Sequence, residues 1–165
     1  MDRNPAVLVR AREAAEKRRT FAQRLNPSSR FSGTSLSRLS GLRRASVSLI
    51  TLRQGEESFA YHAHLAGEEW LYVVQGRGVA DVDGRPRELG PGAFLGFPVP
   101  SVPHILRNPF PEDLVYLSGG ENRDLDVLDY PAIGKRFVLL PQGERTAFHE
   151  LGPAQFPFGP VDDEG

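Results

Sequence analysis

An all-β fold, an antiparallel sandwich or barrel with an N-terminal helical arm, is predicted by three features of this 165-residue chain. Short β-patterned runs follow one another from residue 34 to residue 140 with almost no helical pattern between them, the arrangement of a sandwich or barrel rather than of βαβ units. Gly supplies 17 residues and Pro 14, and they punctuate the apolar runs, as turn chemistry requires. The one helix-like stretch lies before residue 27. These features divide the chain into a basic helical arm (1–33), a β-barrel domain (34–140) and a C-terminal tail (141–165).

In order along the chain, Asn4-Pro5 is a helix start, with Asn able to cap free N–H groups and Pro suited to the first helical position. Pro5–Arg24 is then expected to be helical, with Leu8, Ala11 and Ala15 on one thin apolar face. Asn26-Pro27-Ser28-Ser29 ends it. Strands are expected over Thr34–Leu39, Ala45–Leu52, Ser58–His64, Trp70–Val74 and Val79–Val82. Further strands are expected over Arg87–Leu89, Ala93–Phe97, Pro103–Arg107, Leu114–Leu117 and Arg136–Leu140. Asp83-Gly84 between two such runs is a hairpin signal. Gly119-Gly120-Glu121-Asn122-Arg123 is taken as a turn, and the tail is expected to be ordered where Phe156 and Phe158 dock.

Composition narrows the function. Cys is absent, which excludes disulfides, thiolate metal sites and Cys nucleophiles. No stretch approaches the ~20 apolar residues that span a bilayer. The N-terminus carries charges where a secretory signal needs an apolar run, so the cytoplasm is the expected location. The net charge of −1 hides an asymmetry: residues 1–44 hold eleven Arg/Lys against three Asp/Glu, and residues 45–165 hold nine against eighteen. Without a helix-turn-helix pair or interleaved aromatics, the basic segment is expected to lie on an acidic protein surface rather than on nucleic acid.

Three of the four histidines gather in two β-patterned stretches. In Tyr61-His62-Ala63-His64-Leu65-Ala66-Gly67-Glu68-Glu69, residues two apart in a strand share a face, so His62 and His64 project together. A short Gly-containing turn brings the chain back at Glu69, and a later run supplies His104. Imidazoles with a carboxylate suit a divalent first-row metal. Ala60, Leu71, Val73 and Leu106 share strand faces with these residues and are expected to line a small, mostly apolar pocket. Arg107 has the opposite parity to Leu106 and is assigned to the surface, Glu68 to the solvent side of Glu69, and His149 to no role in the site.

These two stretches resemble the motifs of the cupin superfamily, in particular its small single-domain members. His62-x-His64-(x)4-Glu69-(x)6-Gly76 matches the core of the first cupin motif, with the leading Gly55 one residue further away than the pattern asks. In the second motif, Gly92-(x)5-Pro98 and His104-(x)3-Asn108 match, whereas Pro100 replaces the usual Gly and three residues rather than two separate it from His104. The resemblance implies a double-stranded β-helix, or jelly-roll barrel, holding one metal (Fe, Mn, Ni, Cu, Co or Zn) by His62, His64, Glu69 and His104. It further implies a homodimer and a small-molecule ligand or substrate. A metal-dependent enzyme is the leading expectation, dioxygenase-like or sugar isomerase-like. Isomerisation needs a base near the metal and anion-binding Arg or Lys in the mouth, neither of which is evident along the chain, whereas oxygenation needs only open metal positions and an apolar pocket, so the dioxygenase-like reading is slightly preferred. The alternative is a non-catalytic sensor or structural module that binds metal or ligand.

Overall fold

In the computed structural model, which describes residues 5–142 and 145–153, the chain is built almost wholly of antiparallel strands. A six-residue helix, α1 (Ala11–Glu16), precedes β1 (Arg19–Phe21) and β2 (Phe31–Ser35), and a second short helix, α2 (Leu36–Ser40), leads into β3 (Ala45–Leu52). There follow β4 (Ala63–His64), β5 (Glu69–Gln75), β6 (Gly78–Val82), β7 (Arg85–Leu89), β8 (Phe94–Phe97) and β9 (His104–Arg107). The chain continues through β10 (Leu114–Glu121), β11 (Asp126–Tyr130), β12 (Lys135–Gln142) and β13 (Arg145–Glu150). One sheet has the order β1-β2-β3-β10-β5-β8, a second β13-β12-β11-β4 and a third β7-β6-β9. Together they form the expected jelly-roll barrel. No helix among the described residues is long and apolar enough to cross a membrane.

Two apolar clusters fill the interior. The larger comprises Phe31, Ile50, Leu52, Leu71, Val73, Ala80, Phe97, Leu106, Leu114 and Tyr116; the smaller is Ala60, Leu128, Tyr130 and Phe137. Strand parity explains the membership. On β5, Leu71 and Val73 are buried while Tyr72 and Val74 are exposed, the period-two pattern of a sheet with one wet face. Asp83 and Gly84 both have positive φ in the turn between β6 and β7, as a two-residue hairpin of this kind demands.

The arm departs from expectation. Pro5–Arg24 is helical only over Ala11–Glu16, where Ala14 rather than Leu8, Ala11 or Ala15 is buried. Its carbonyl accepts a hydrogen bond from Thr34 Oγ1 on β2. Isolated helices this short are unstable in water, and the remaining chain gains more by pairing, as β1 adds to the edge of β2. The sheet therefore starts at Arg19, inside the segment assigned to the arm, and β13 lies inside the segment assigned to the tail. Thr34–Leu39 is likewise strand only to Ser35. Ser35 then caps α2 by accepting from Arg38 N, and Gly41 closes it in the left-handed conformation. Ser58–His64 is strand only at Ala63–His64. Phe156 and Phe158 lie outside the described residues.

Gly119-Gly120-Glu121 is not a turn but the end of β10, paired with β3 throughout and, at the two glycines, with β5 as well. A Cβ on Gly119 would come within 2.2 Å of the Trp70 indole, and one on Gly120 within 2.6 Å of the Glu68 carbonyl oxygen. Two glycines in the strand let neighbouring groups close over both faces.

Candidate metal centre and its cleft

The two clusters meet at the histidines. His62 and His104 sit opposite one another, their backbones exchanging hydrogen bonds (His62 N to His104 O, 3.2 Å; His104 N to His62 O, 2.8 Å). The Phe97 ring stacks on His104 at 3.6 Å between centroids, and the Tyr130 ring stacks on His62 at 5.8 Å. Glu69 opens β5 and pairs with Phe97 on one side and Gly120 on the other.

All three Nε2 atoms approach one carboxylate oxygen. Glu69 Oε2 lies 3.1 Å from His104, 3.4 Å from His64 and 3.8 Å from His62. The ligand atoms of His62, Glu69 and His104 all lie within 4.8 Å of one another. His64 joins the group through Glu69, its ring standing 6.4 Å from that of His104 whereas His62 stands 4.8 Å away. Donors bound at about 2.1 Å to one ion lie about 3 Å apart when adjacent, so this spacing fits a metal with little movement.

Each imidazole is oriented from behind. His62 Nδ1 is 2.8 Å from the Ala60 carbonyl oxygen, His104 Nδ1 is 3.0 Å from that of Val102, and His64 Nδ1 is 2.6 Å from Asp126 Oδ2. Nδ1 donating to these acceptors leaves the Nε2 lone pair facing inward, the usual device that orients a metal-binding histidine. Asp126 also accepts from the backbone N–H groups of Ala66, Gly67 and Val127. A Cβ on Gly67 would come within 2.9 Å of Asp126 Oδ2, so the turn between the histidines and Glu69 closes around this carboxylate. Asp126 escaped the sequence reading because it lies in a different strand and motif, joined to His64 only by the pairing of β4 with β11.

Electrostatics separate the histidines. Burial pushes His62 down to about 4. Burial also opposes charge on His64, but hydrogen bonds to Glu69 and Asp126 prevail and raise it to about 9. Burial works against the Glu69 carboxylate, yet hydrogen bonds from His104 and His64 hold it well below the usual carboxylate range.

The second-motif departure has a visible use. Across the longer Pro98–Pro103 turn, His64 N donates to Ser101 Oγ (2.7 Å) and Ser101 N donates to the His64 carbonyl oxygen (2.8 Å). Asn108, the last residue of that motif, is buried and donates to the carbonyls of Leu52 and Glu112, tying strand ends rather than facing the site. Arg107 pairs with Glu57 and Asp81. Tyr61 accepts from Gly84 N. His149 is exposed on β13.

The space beside this group is of two kinds. Leu71 and Leu106, with His62, Glu69 and His104, line an interior cavity of about 30 Å³, whereas Ala60 and Val73 are buried outside that lining. On the other side, His64 and Glu69 stand in the wall of a cleft of about 930 Å³. Most of its lining residues are polar or charged, with Arg38, Arg43, Ser46, Glu68, Glu121 and Arg123 among them. On the inner face of the sheet Gly120 is flanked by Glu69 and Ser46. The arginines were not recognised as lining the mouth because residues 38, 43 and 123 converge only through long-range pairing.

A profile of the cupin domain family matches residues 48–120. A protein of Acidithiobacillus ferrooxidans provisionally assigned as a sugar phosphate isomerase is 31% identical in sequence, with a TM-score of 0.81 over 92% of this chain and 97% of that one. A cupin-superfamily sugar phosphate isomerase of Silicibacter pomeroyi shares 24% identity at a TM-score of 0.72, covering 81% of this chain and 87% of that one. A predicted oxalate decarboxylase of Thermotoga maritima shares 16% identity at a TM-score of 0.59, with 71% and 100% covered. No curated protein sequence matches the chain. The chain belongs to the cupin superfamily, as a small single-domain member.

Proposed function

We propose that the chain is a metal-dependent isomerase acting on a phosphorylated sugar or a similar polyhydroxylated anion. The observation that carries this reading is the cleft: the large space reaching His64 and Glu69 is lined mostly by charged and polar residues, arginines among them, whereas the apolar interior has room for about one water. A dioxygenase-like site was favoured for an apolar pocket, and the polar cleft moves the preference to isomerisation. The likeness to the Acidithiobacillus ferrooxidans protein at 31% identity supports the same choice.

In this reading His62, His64, Glu69 and His104 hold one divalent metal, which supplies Lewis-acid polarisation of a carbonyl or hydroxyl oxygen when bound. Asp126 fixes the His64 ring, and Phe97 and Tyr130 keep His104 and His62 in place. Moving a hydrogen between adjacent sugar carbons needs a base on the cleft wall. Glu68 and Asp124 are exposed carboxylates there whose side chains make no ion pair or hydrogen bond among the described residues, and Glu68, adjacent to Glu69 in the chain, takes that role.

The test is metal analysis of the purified protein, followed by turnover of a panel of aldose and ketose phosphates. About one transition metal per chain is expected, lost in His104→Ala, with turnover of at least one sugar phosphate. Glu68→Gln should keep the metal and lower kcat by roughly 100-fold, the scale of general-base catalysis. Metal without turnover of any sugar phosphate would favour the non-catalytic binding module.

A further inference from the structure

The cleft is electrically two-sided. From Lys17 to Gly55 the sequence contains no Asp or Glu, and the wall contributed by this segment carries Arg38, Arg43 and Ser46. The opposite wall carries the acidic groups: Glu69 and Asp126 of the site, with Glu68, Glu121 and Asp124. One base, Arg123, stands on that side, 3.7 Å from Glu121, with its stem against Gly67. The two walls are fastened where the arginines sit, since Asn122 donates from its N–H to the Arg44 carbonyl and from its side chain to the Arg43 carbonyl. The Arg43 side chain makes no ion pair or hydrogen bond among the described residues, and it is exposed.

We infer that Arg43 and Arg123 form the seat for the phosphate of the substrate, where Asn122 fastens the two walls of the cleft together. This inference rests on the isomerase reading for what the rest of the ligand is, but the anion site itself does not depend on turnover. Register supplies the span: Glu69, Gly120 and Ser46 lie on adjacent strands, so Ser46 is two strand spacings, about 10 Å, from Glu69. An extended sugar of five or six carbons bearing a terminal phosphate covers a similar distance. Guanidinium groups match phosphate oxygens bidentately.

The probe is inorganic phosphate, titrated into the full-length protein as purified and read by calorimetry and by the arginine Nε–H NMR resonances. Saturable binding is expected, weakened about tenfold by Arg43→Ala and by Arg123→Ala, partly restored in Arg43→Lys, and unchanged in Arg87→Ala on β7. No saturable binding, or equal binding in all three alanine variants, overturns the site. A second arm separates this inference from the isomerase reading. If phosphate binding depends on Arg43 but no sugar phosphate turns over, the seat stands and the isomerase reading falls. If a sugar phosphate turns over with its KM unchanged in both Arg43→Ala and Arg123→Ala, the isomerase reading stands and the seat falls.

Discussion

Two carboxylates flank one imidazole: Glu69 beside His64 Nε2 and Asp126 on its Nδ1. Asp126→Asn preserves shape but removes the charge that orients His64 and accepts from the Ala66 and Gly67 N–H groups. Metal affinity is expected to fall 10- to 100-fold, the usual cost of losing such a partner, with the fold retained; competitive chelation measures it. The same pair of carboxylates gives the metal-free protein a signed pH response. His64, raised to about 9 in the folded chain, contributes stability that is full below about 6.5 and is lost as pH rises through 9. His62, lowered to about 4, works on the other flank: the unfolded chain takes the proton first, so stability falls as pH drops from about 6.5 toward 4. Melting temperatures of chelator-treated protein should therefore peak near pH 6.5, and His64→Gln should flatten the alkaline limb. The His-x-His pair and Glu69 were legible from close spacing and His104 from its match to the second cupin motif, although His62 lies outside β4 and meets His104 through an isolated bridge. Asp126 was not, because nothing in Leu125-Asp126-Val127 marks a partner sixty residues away.

Between elements, the arm segment proves to be a brace. Gln23 Oε1 accepts from Ala60 N (2.5 Å), its amide donates to the Tyr130 hydroxyl, and Asn26 donates to Glu57 and to the Phe59 carbonyl. The stretch that delivers His62 is thus held by side chains from the loop between β1 and β2 rather than by a long strand of its own. Gln23→Ala leaves the Ala60 N–H without its acceptor, and a loss of about 1–3 kcal/mol is expected in urea unfolding, with metal affinity reduced alongside. An effect below about 0.5 kcal/mol would mean that water replaces the brace. The sequence offered an Ala-rich, charged stretch here and the helical reading followed; what decided against it was non-local, the open edge of β2. The case of α2 differs, since its Ser35 cap and Gly41 stop are local signals that the β-patterned reading of Thr34–Leu39 passed over. Gly119-Gly120 looked like a turn because glycine marks turns and crowded strands alike, and the two are told apart only by what lies above them.

At the scale of the whole molecule, the strand-rich barrel was readable from spacing alone, because short alternating runs with frequent turns leave few other architectures. The working cleft was not readable, because its walls come from residues 35–46, 64–69 and 118–126, with Leu139 and Thr146, stretches brought together by sheet pairing. The charge split seen along the chain acquires a location in this way. The acid-free segment becomes one wall and the acidic remainder the other, within the same protomer.

The paired glycines at the end of β10 also bear on how this chain can vary among its descendants. In most strands tolerance to substitution alternates, one position strict and the next permissive. Here both neighbours are strict for unrelated reasons, Gly119 under the Trp70 indole and Gly120 against the Glu68 backbone. Trp70 is itself stacked on Phe94, so relief at residue 119 would require an indole to leave its stack, and relief at residue 120 would displace the turn that presents Glu69. Lineages that keep this chemistry are thereby confined to glycine at both positions, whereas one that abandons it is free to drift first at residue 120.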